Sequence, residues 1–119
     1  RDCRELAMVV AEFHTHCHRA FELRDTTLLK VLERSDAFRR AERFEKFLLA
    51  CEADARGRTG FEDRPYEQAN YLRDVFAAAN AVNAGAVAAT ASGAAIPEAI
   101  RQARLAAIRA FRNARETSP

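Results

Sequence analysis

Apolar residues return along this chain every three or four positions, a spacing that places them on one face of an α-helix. In the first segment, from about Asp2 to Leu23, Leu6, Val10, Phe13 and Cys17 make the stripe, with Val9 beside them. Arg24-Asp25-Thr26 offers polar capping residues, and a short helix with Leu28, Leu29, Val31 and Leu32 follows. Ser35-Asp36 reads as a turn or a new cap. A third helix carries Phe44, Phe47, Leu48 and Cys51 and should end near Gly57. Gly57 to Pro65, with two glycines, a proline and alternating charges, reads as a loop. The fourth helix should begin near Tyr66 or Glu67 and bury Tyr71, Leu72, Val75, Phe76, Ala79 and Val82. The alanine-rich stretch Ala84 to Ala95 fits a short helix followed by a turn. Pro97 suits a first helical position, and Ile100, Ala103, Ala107, Ile108 and Phe111 mark the last helix. No repeat and no strand pattern is present.

Composition agrees with this pattern. Of 119 residues, 49% are hydrophobic and 30% charged, while glycine (4) and proline (3) are scarce. That is the balance of one globular all-α domain or part of one, not of a disordered chain. No apolar run approaches the ~20 residues needed to cross a bilayer. No signal peptide is visible, so a cytoplasmic protein is expected. Cys3, Cys17 and Cys51 are odd in number and widely spaced, which suits a reducing compartment better than a disulfide scaffold. The net charge of +2 neither requires nor excludes nucleic acid. From Pro97 onward, however, Arg101, Arg104, Arg109, Arg112 and Arg115 face only Glu98 and Glu116. Arginine's planar fork suits phosphate.

Three places could carry chemistry. In His14-Thr15-His16-Cys17-His18, His14 and His18 lie one helical turn apart on one face, with Cys17 adjacent. They could ligate a metal, or His14 could be a partly buried histidine satisfied by a hydrogen bond. His16 points away from the stripe and should be solvated. Asp54 follows Phe47 by seven residues and Cys51 by three, so it should fall on the buried stripe of the third helix. A carboxylate there needs a partner: a metal, a histidine, or an arginine such as Arg56 or Arg58. Arg56 and Arg58 bracket Gly57, where they could hold a phosphate or neutralise the last carbonyls of the helix. No phosphate-binding loop, nucleophile elbow, dinucleotide fingerprint, or Gly-Ser followed by paired aspartates occurs.

The run Cys51-Glu52-Ala53-Asp54-Ala55-Arg56-Gly57-Arg58-Thr59-Gly60 closely resembles the E-A-D-x-R-G-R-T-G segment of bacterial CCA-adding enzymes that carry an HD domain. Flanking pieces agree in order. Val9 to His14 looks like the preceding helix, and Ser35 to Arg40 is similar to the D-A-W/F-R segment. Tyr66-Glu67-Gln68 and Tyr71-Leu72-Arg73 match the stretch after the loop. Ile96 to Ile108 resembles the closing helix.

The resemblance implies a bundle of about five helices, the end of an HD-like domain over 1–60 and tail helices over 61–119, as a piece of a longer protein. It implies an intact enzyme that builds the C-C-A end of tRNA from CTP and ATP, in a head this chain does not contain. It further implies a divalent metal in the intact enzyme: Mg, or Ni, Mn or Co at an HD phosphohydrolase site acting on 2′,3′-cyclic phosphates and 2′-nucleotides. Asp54 would then be a metal ligand, His14 and His18 phosphate-binding or catalytic groups, and Arg39, Arg40, Arg56 and Arg58 contacts to RNA phosphate. The His-Asp doublet of the family is missing, with Thr15 standing after His14. The chain alone should therefore be inactive. A non-catalytic helical oligomerisation module, with a homodimer through the alanine-rich faces, is the alternative.

Overall fold

A computed structural model describes residues 2–57 and 65–117. Among these residues six α-helices and two short 3-10 turns are present and no strand. The helices are α1 (Asp2–His18), α2 (Asp25–Arg34), α3 (Ala41–Arg56), α4 (Glu67–Asn80), α5 (Ala84–Ala88) and α6 (Ile96–Thr117). The chain is all-α, as its pattern predicts. The sixth helix comes from the alanine-rich stretch: α5 is capped by Asn83, whose side chain accepts from the Ala86 amide at 3.0 Å. A 3-10 turn over Gly93–Ala95 then leads into α6.

Helix ends follow local chemistry. α1 stops at His18 rather than near Leu23, and Ala20–Glu22 continues as a separate 3-10 turn. α2 begins at Asp25, and Arg24 makes no side-chain cap. Asp25 instead places a negative charge in the first turn, where the helix dipole favours it. α2 closes in a Schellman arrangement: the Ala37 amide donates to the Leu32 carbonyl at 3.0 Å and the Asp36 amide to Glu33 at 3.1 Å. Asp36 takes the left-handed position of that motif with φ 62°. Aspartate tolerates this conformation better than most residues do. Ser35, buried in the same turn, donates to the Leu32 carbonyl at 3.1 Å. α3 ends where Gly57 donates to Ala53. Pro97 falls in the first turn of α6, where its missing N–H leaves no bond unmade.

The chain divides into two compact units, and the boundary falls within α4 after Arg73. In the first unit α1 and α2 contact each other, and α1 lies along α3. Its core is Phe13, Cys17, Leu28, Leu29, Val31, Leu32, Phe44, Phe47, Leu48 and Cys51, closed by Tyr66, Ala69, Tyr71 and Leu72. In the second unit α5 and the 3-10 turn lie against α6. There Val75, Ala79, Leu105 and Ile108 are buried. Leu105 was absent from the expected stripe of α6; Ile100, Ala103, Ala107 and Phe111 are only half-buried. The inward face of α6 is thus rotated from the sequence reading toward Leu105 and Ile108. No described helix is long and apolar enough to cross a membrane.

Neighbouring leucines of α3 give a direct check. Leu48 is 0% and Leu49 55% exposed. Leu48→Ala should cost about 2–5 kcal/mol in urea unfolding, and Leu49→Ala within about 0.5 kcal/mol. Equal losses would mean that α3 is rotated about its axis.

Candidate functional site

Two helices supply the chemistry. α1 runs out at His18 just where α3 reaches its last turn, so His18 and Asp54 meet across 36 positions of sequence. His18 Nε2 lies 2.9 Å from Asp54 Oδ2. On its other side, His18 Nδ1 lies 2.7 Å from the Tyr66 hydroxyl. That hydroxyl also reaches Cys17 Sγ at 3.2 Å. Gln68 donates to the His18 carbonyl at 3.1 Å, fixing the end of α1. Cys17 and Cys51 are both buried, and neither is in a disulfide. His14 stacks edge-on against His18, ring centres 5.9 Å apart.

Proton counting limits what this cluster can do. A carboxylate only accepts, so Nε2 of His18 carries the proton that faces Asp54. Nδ1 then either accepts from the Tyr66 hydroxyl, or is itself protonated and donates to the phenol oxygen. In the second pattern the Tyr66 proton goes to Cys17. Burial, and next the hydrogen bond to Cys17, push the Tyr66 phenol well above the ordinary tyrosine range. Tyr66 therefore stays a neutral donor. The hydrogen bond from Cys51 holds the Cys17 thiol below its usual range, against the opposing effect of burial and with help from Tyr66. Cys51 is pushed up correspondingly, first by its bond to Cys17 and then by burial.

Two expectations are corrected here. Asp54 is not buried: its side chain is 45% exposed. It does continue the stripe of α3, but α1, which covers that stripe, terminates at His18, and the imidazole is what remains over it. A histidine, one of the partners the sequence offered, faces it. Arg56, one turn after Glu52, pairs with that residue at 2.7 Å. His16 is not solvated either. It is half-buried, its ring 5.1 Å from that of Phe13 and its Nδ1 shielded from solvent. His14 fits its hydrogen-bonded reading, with Nδ1–H donating to the Val10 carbonyl at 3.0 Å.

The structure does not gather the four phosphate-binding candidates together. Arg39 and Arg40 are exposed before the first turn of α3, and Arg56 is in its last. The length of that helix separates them by about 24 Å. Arg39 is 83% exposed and only loosely paired, 3.9 Å from Asp36. Arg58 lies outside the described residues, as does most of the Gly57–Pro65 loop. Among the described residues no group of three or more His, Cys, Asp or Glu is arranged to hold a metal. Tyr66 and Gln68 were missed as site residues. The only signal was their place in the Tyr66-Glu67-Gln68 motif, because nothing local links them to positions about 50 residues earlier.

Fold and site define an all-α segment with a histidine–carboxylate–tyrosine cluster at a helix crossing. Similar proteins narrow the class. The multifunctional CCA protein of Thioalkalivibrio sulfidiphilus is 57% identical over 107 residues, which is 89% of this chain and 26% of that protein. That of Alkalilimnicola ehrlichii is 54% identical over 112 residues, 93% of this chain and 27% of the relative. That of Hahella chejuensis is 49% identical over 110 residues, 92% and 26% respectively. The chain belongs to the family of multifunctional CCA proteins and corresponds to their C-terminal region. It spans about a quarter of the length of the curated relatives it matches. No protein-family model matches the chain, and no solved structure does.

Tyr66→Phe removes a hydroxyl that serves both His18 and Cys17. It should cost about 1–3 kcal/mol at neutral pH, measured by urea unfolding. The linkage sign follows from the raised phenol. The stability it contributes is fully present below the unfolded tyrosine value of about 10 and is lost as pH climbs from there toward the folded value. The wild-type chain should therefore lose stability above about pH 10 more steeply than Tyr66→Phe. Parallel curves would show that Tyr66 ionises freely.

Proposed function

We propose that this chain is the tRNA-facing C-terminal region of a CCA-adding tRNA nucleotidyltransferase. It completes an HD-type phosphohydrolase domain, while CTP and ATP are bound and joined to tRNA by residues outside this chain. The carrying observation is the similarity to multifunctional CCA proteins over about nine-tenths of the sequence. The work would take place in the cytoplasm, where tRNA is matured.

The His18–Asp54 pair supports the phosphohydrolase part of the reading. It joins a carboxylate and an imidazole from different helices at a half-exposed rim, where a phosphate ester could reach both. Asp54 would contribute one carboxylate to a divalent metal, Mg, Ni, Mn or Co, whose role is to polarise the ester and activate water. The described residues form only part of such a donor set, and the longer protein must supply the rest. His18, held on Nδ1 by Tyr66, would offer its Nε2 proton to a phosphate oxygen. His14, anchored by Val10, would present its remaining nitrogen beside Thr15, 3.5 Å away. For tRNA, Arg39 and Arg40 at one end of α3 and Arg56 at the other fit two separate phosphate contacts better than one pocket. The arginines of α6, in the second unit, are further candidates for phosphate contacts.

Gel-shift titration with tRNA at two salt concentrations tests the RNA part. Affinity should fall steeply with salt, and Arg39→Ala with Arg40→Ala should reduce the log–log slope by about one to two. Binding that ignores salt, or is absent at both concentrations, contradicts it. In the full-length protein, Asp54→Asn should lower hydrolysis of a 2′,3′-cyclic nucleotide by about 100-fold or more while C-C-A addition continues. Unchanged hydrolysis contradicts the role of Asp54.

A further inference from the structure

Between α1 and the turn that joins α2 to α3 lies an open groove of about 700 Å³. Glu5, Met8, Val9 and Glu12 recur at helical spacing, so one face of α1 lines it over about two turns. An ion pair crosses it at each end of that face. Glu12 meets Arg34, the last residue of α2, at 2.9 Å. Glu5 meets Arg43 in the first turn of α3, and Arg43 also stands 3.8 Å from Asp36. Midway between the two pairs is Met8, at 63% the most exposed large apolar side chain among the described residues. Apolar surface left in water is unfavourable, and methionine's unbranched thioether adapts to whatever packs on it.

The lining selects the class of occupant. Four carboxylates, Glu5, Glu12, Glu33 and Asp36, stand against three arginines, so the groove carries one net negative charge. Each of those arginines has one of the carboxylates within 4 Å. A phosphate strand laid in the groove would meet the carboxylates and be repelled. Arg39, 83% exposed, still turns most of its surface outward from the edge. We propose that the groove is a docking surface, and that its occupant is the protein segment that precedes α1 in the longer protein. The matched region is only 26–27% of the relatives' length and lies at their C-terminal end. A preceding segment therefore joins at the start of α1, and the groove begins one turn further on, at Glu5. Two helices fold back on each other through a connection of only about 2–5 residues. A tethered segment stands at an effective concentration in the millimolar range, which favours it over a second copy of the chain. It seats an apolar side chain on Met8 and Val9 and sets a lysine or arginine against the net negative rim. The proposal requires only that the chain be the C-terminal region of a longer protein, so the hydrolysis and RNA readings can fail without touching it.

The test uses the full-length protein carrying Met8→Cys, with labelling by a maleimide followed by peptide mass spectrometry so that the native cysteines are read apart. Under native conditions the introduced thiol should react about tenfold or more slowly than in urea, because a covered site reacts only on local opening. Met8→benzoylphenylalanine, irradiated and digested, should crosslink within one chain to a peptide that precedes Arg1. The labelling decides alone if the bulkier substitution fails to fold. Native labelling at close to the urea rate would overturn the proposal. So would a crosslink that joins two copies of the protein or captures added tRNA.

Discussion

Where α1 lies along α3, Phe13 and Cys17 from one helix and Phe44, Phe47, Leu48 and Cys51 from the other fill the first unit's core. That apolar contact decides which polar groups can meet at its end. A slip of one residue along α1 would shift it by about 1.5 Å and turn it by about 100°. His18 would then leave Asp54, and Cys17 would leave the Tyr66 hydroxyl. The polar cluster does not hold the helices together; close packing of the aromatic side chains holds the cluster in register.

The cluster grades from dry to wet over a short distance. Cys51 and Cys17 are fully enclosed, Tyr66 is nearly so, His18 is partly covered, and Asp54 stands at the rim. A neutral phenol and a thiol pair suit the enclosed end, because a lone charge there would be costly. The carboxylate suits the rim, where water shares the solvation and an exposed pair contributes little stability by itself. A carboxylate kept accessible in this way, with a partner but without full burial, remains able to meet a phosphate ester or a cation. The basic residues follow a different logic. Arg43 is tied to Glu5, Arg34 to Glu12, Arg73 to Glu45 and Arg56 to Glu52. Arg39, with a long and loose contact, keeps most of its surface toward solvent.

Helix existence and most boundaries were legible in the sequence, because a stripe such as Phe44, Phe47, Leu48 and Cys51 depends only on helical period and burial. The glycine after Arg56 and the proline at 97 marked ends for local reasons too. What resisted reading depends on what covers a face. Asp54 lies on the apolar stripe, yet it is exposed because the covering helix stops short, and no spacing within α3 reveals that. His16 looked solvated by the same one-helix argument, but the neighbouring Phe13 ring shelters it. Leu105 was overlooked because α6 is alanine-rich, and small residues leave the inward face poorly defined. The partnership of Tyr66 with His18 and Cys17 is non-local and had no sequence signal beyond a family motif. The family itself was legible from the short run around Asp54.

The register of α1 on α3 carries the account, and a double-mutant cycle on His18 and Asp54 tests it most directly. Urea unfolding of His18→Ala, Asp54→Ala and the double variant should give a coupling energy of about 0.5–1 kcal/mol, as expected for a partly exposed pair in contact. Strict additivity would contradict it, since two side chains that do not meet have no coupling to lose.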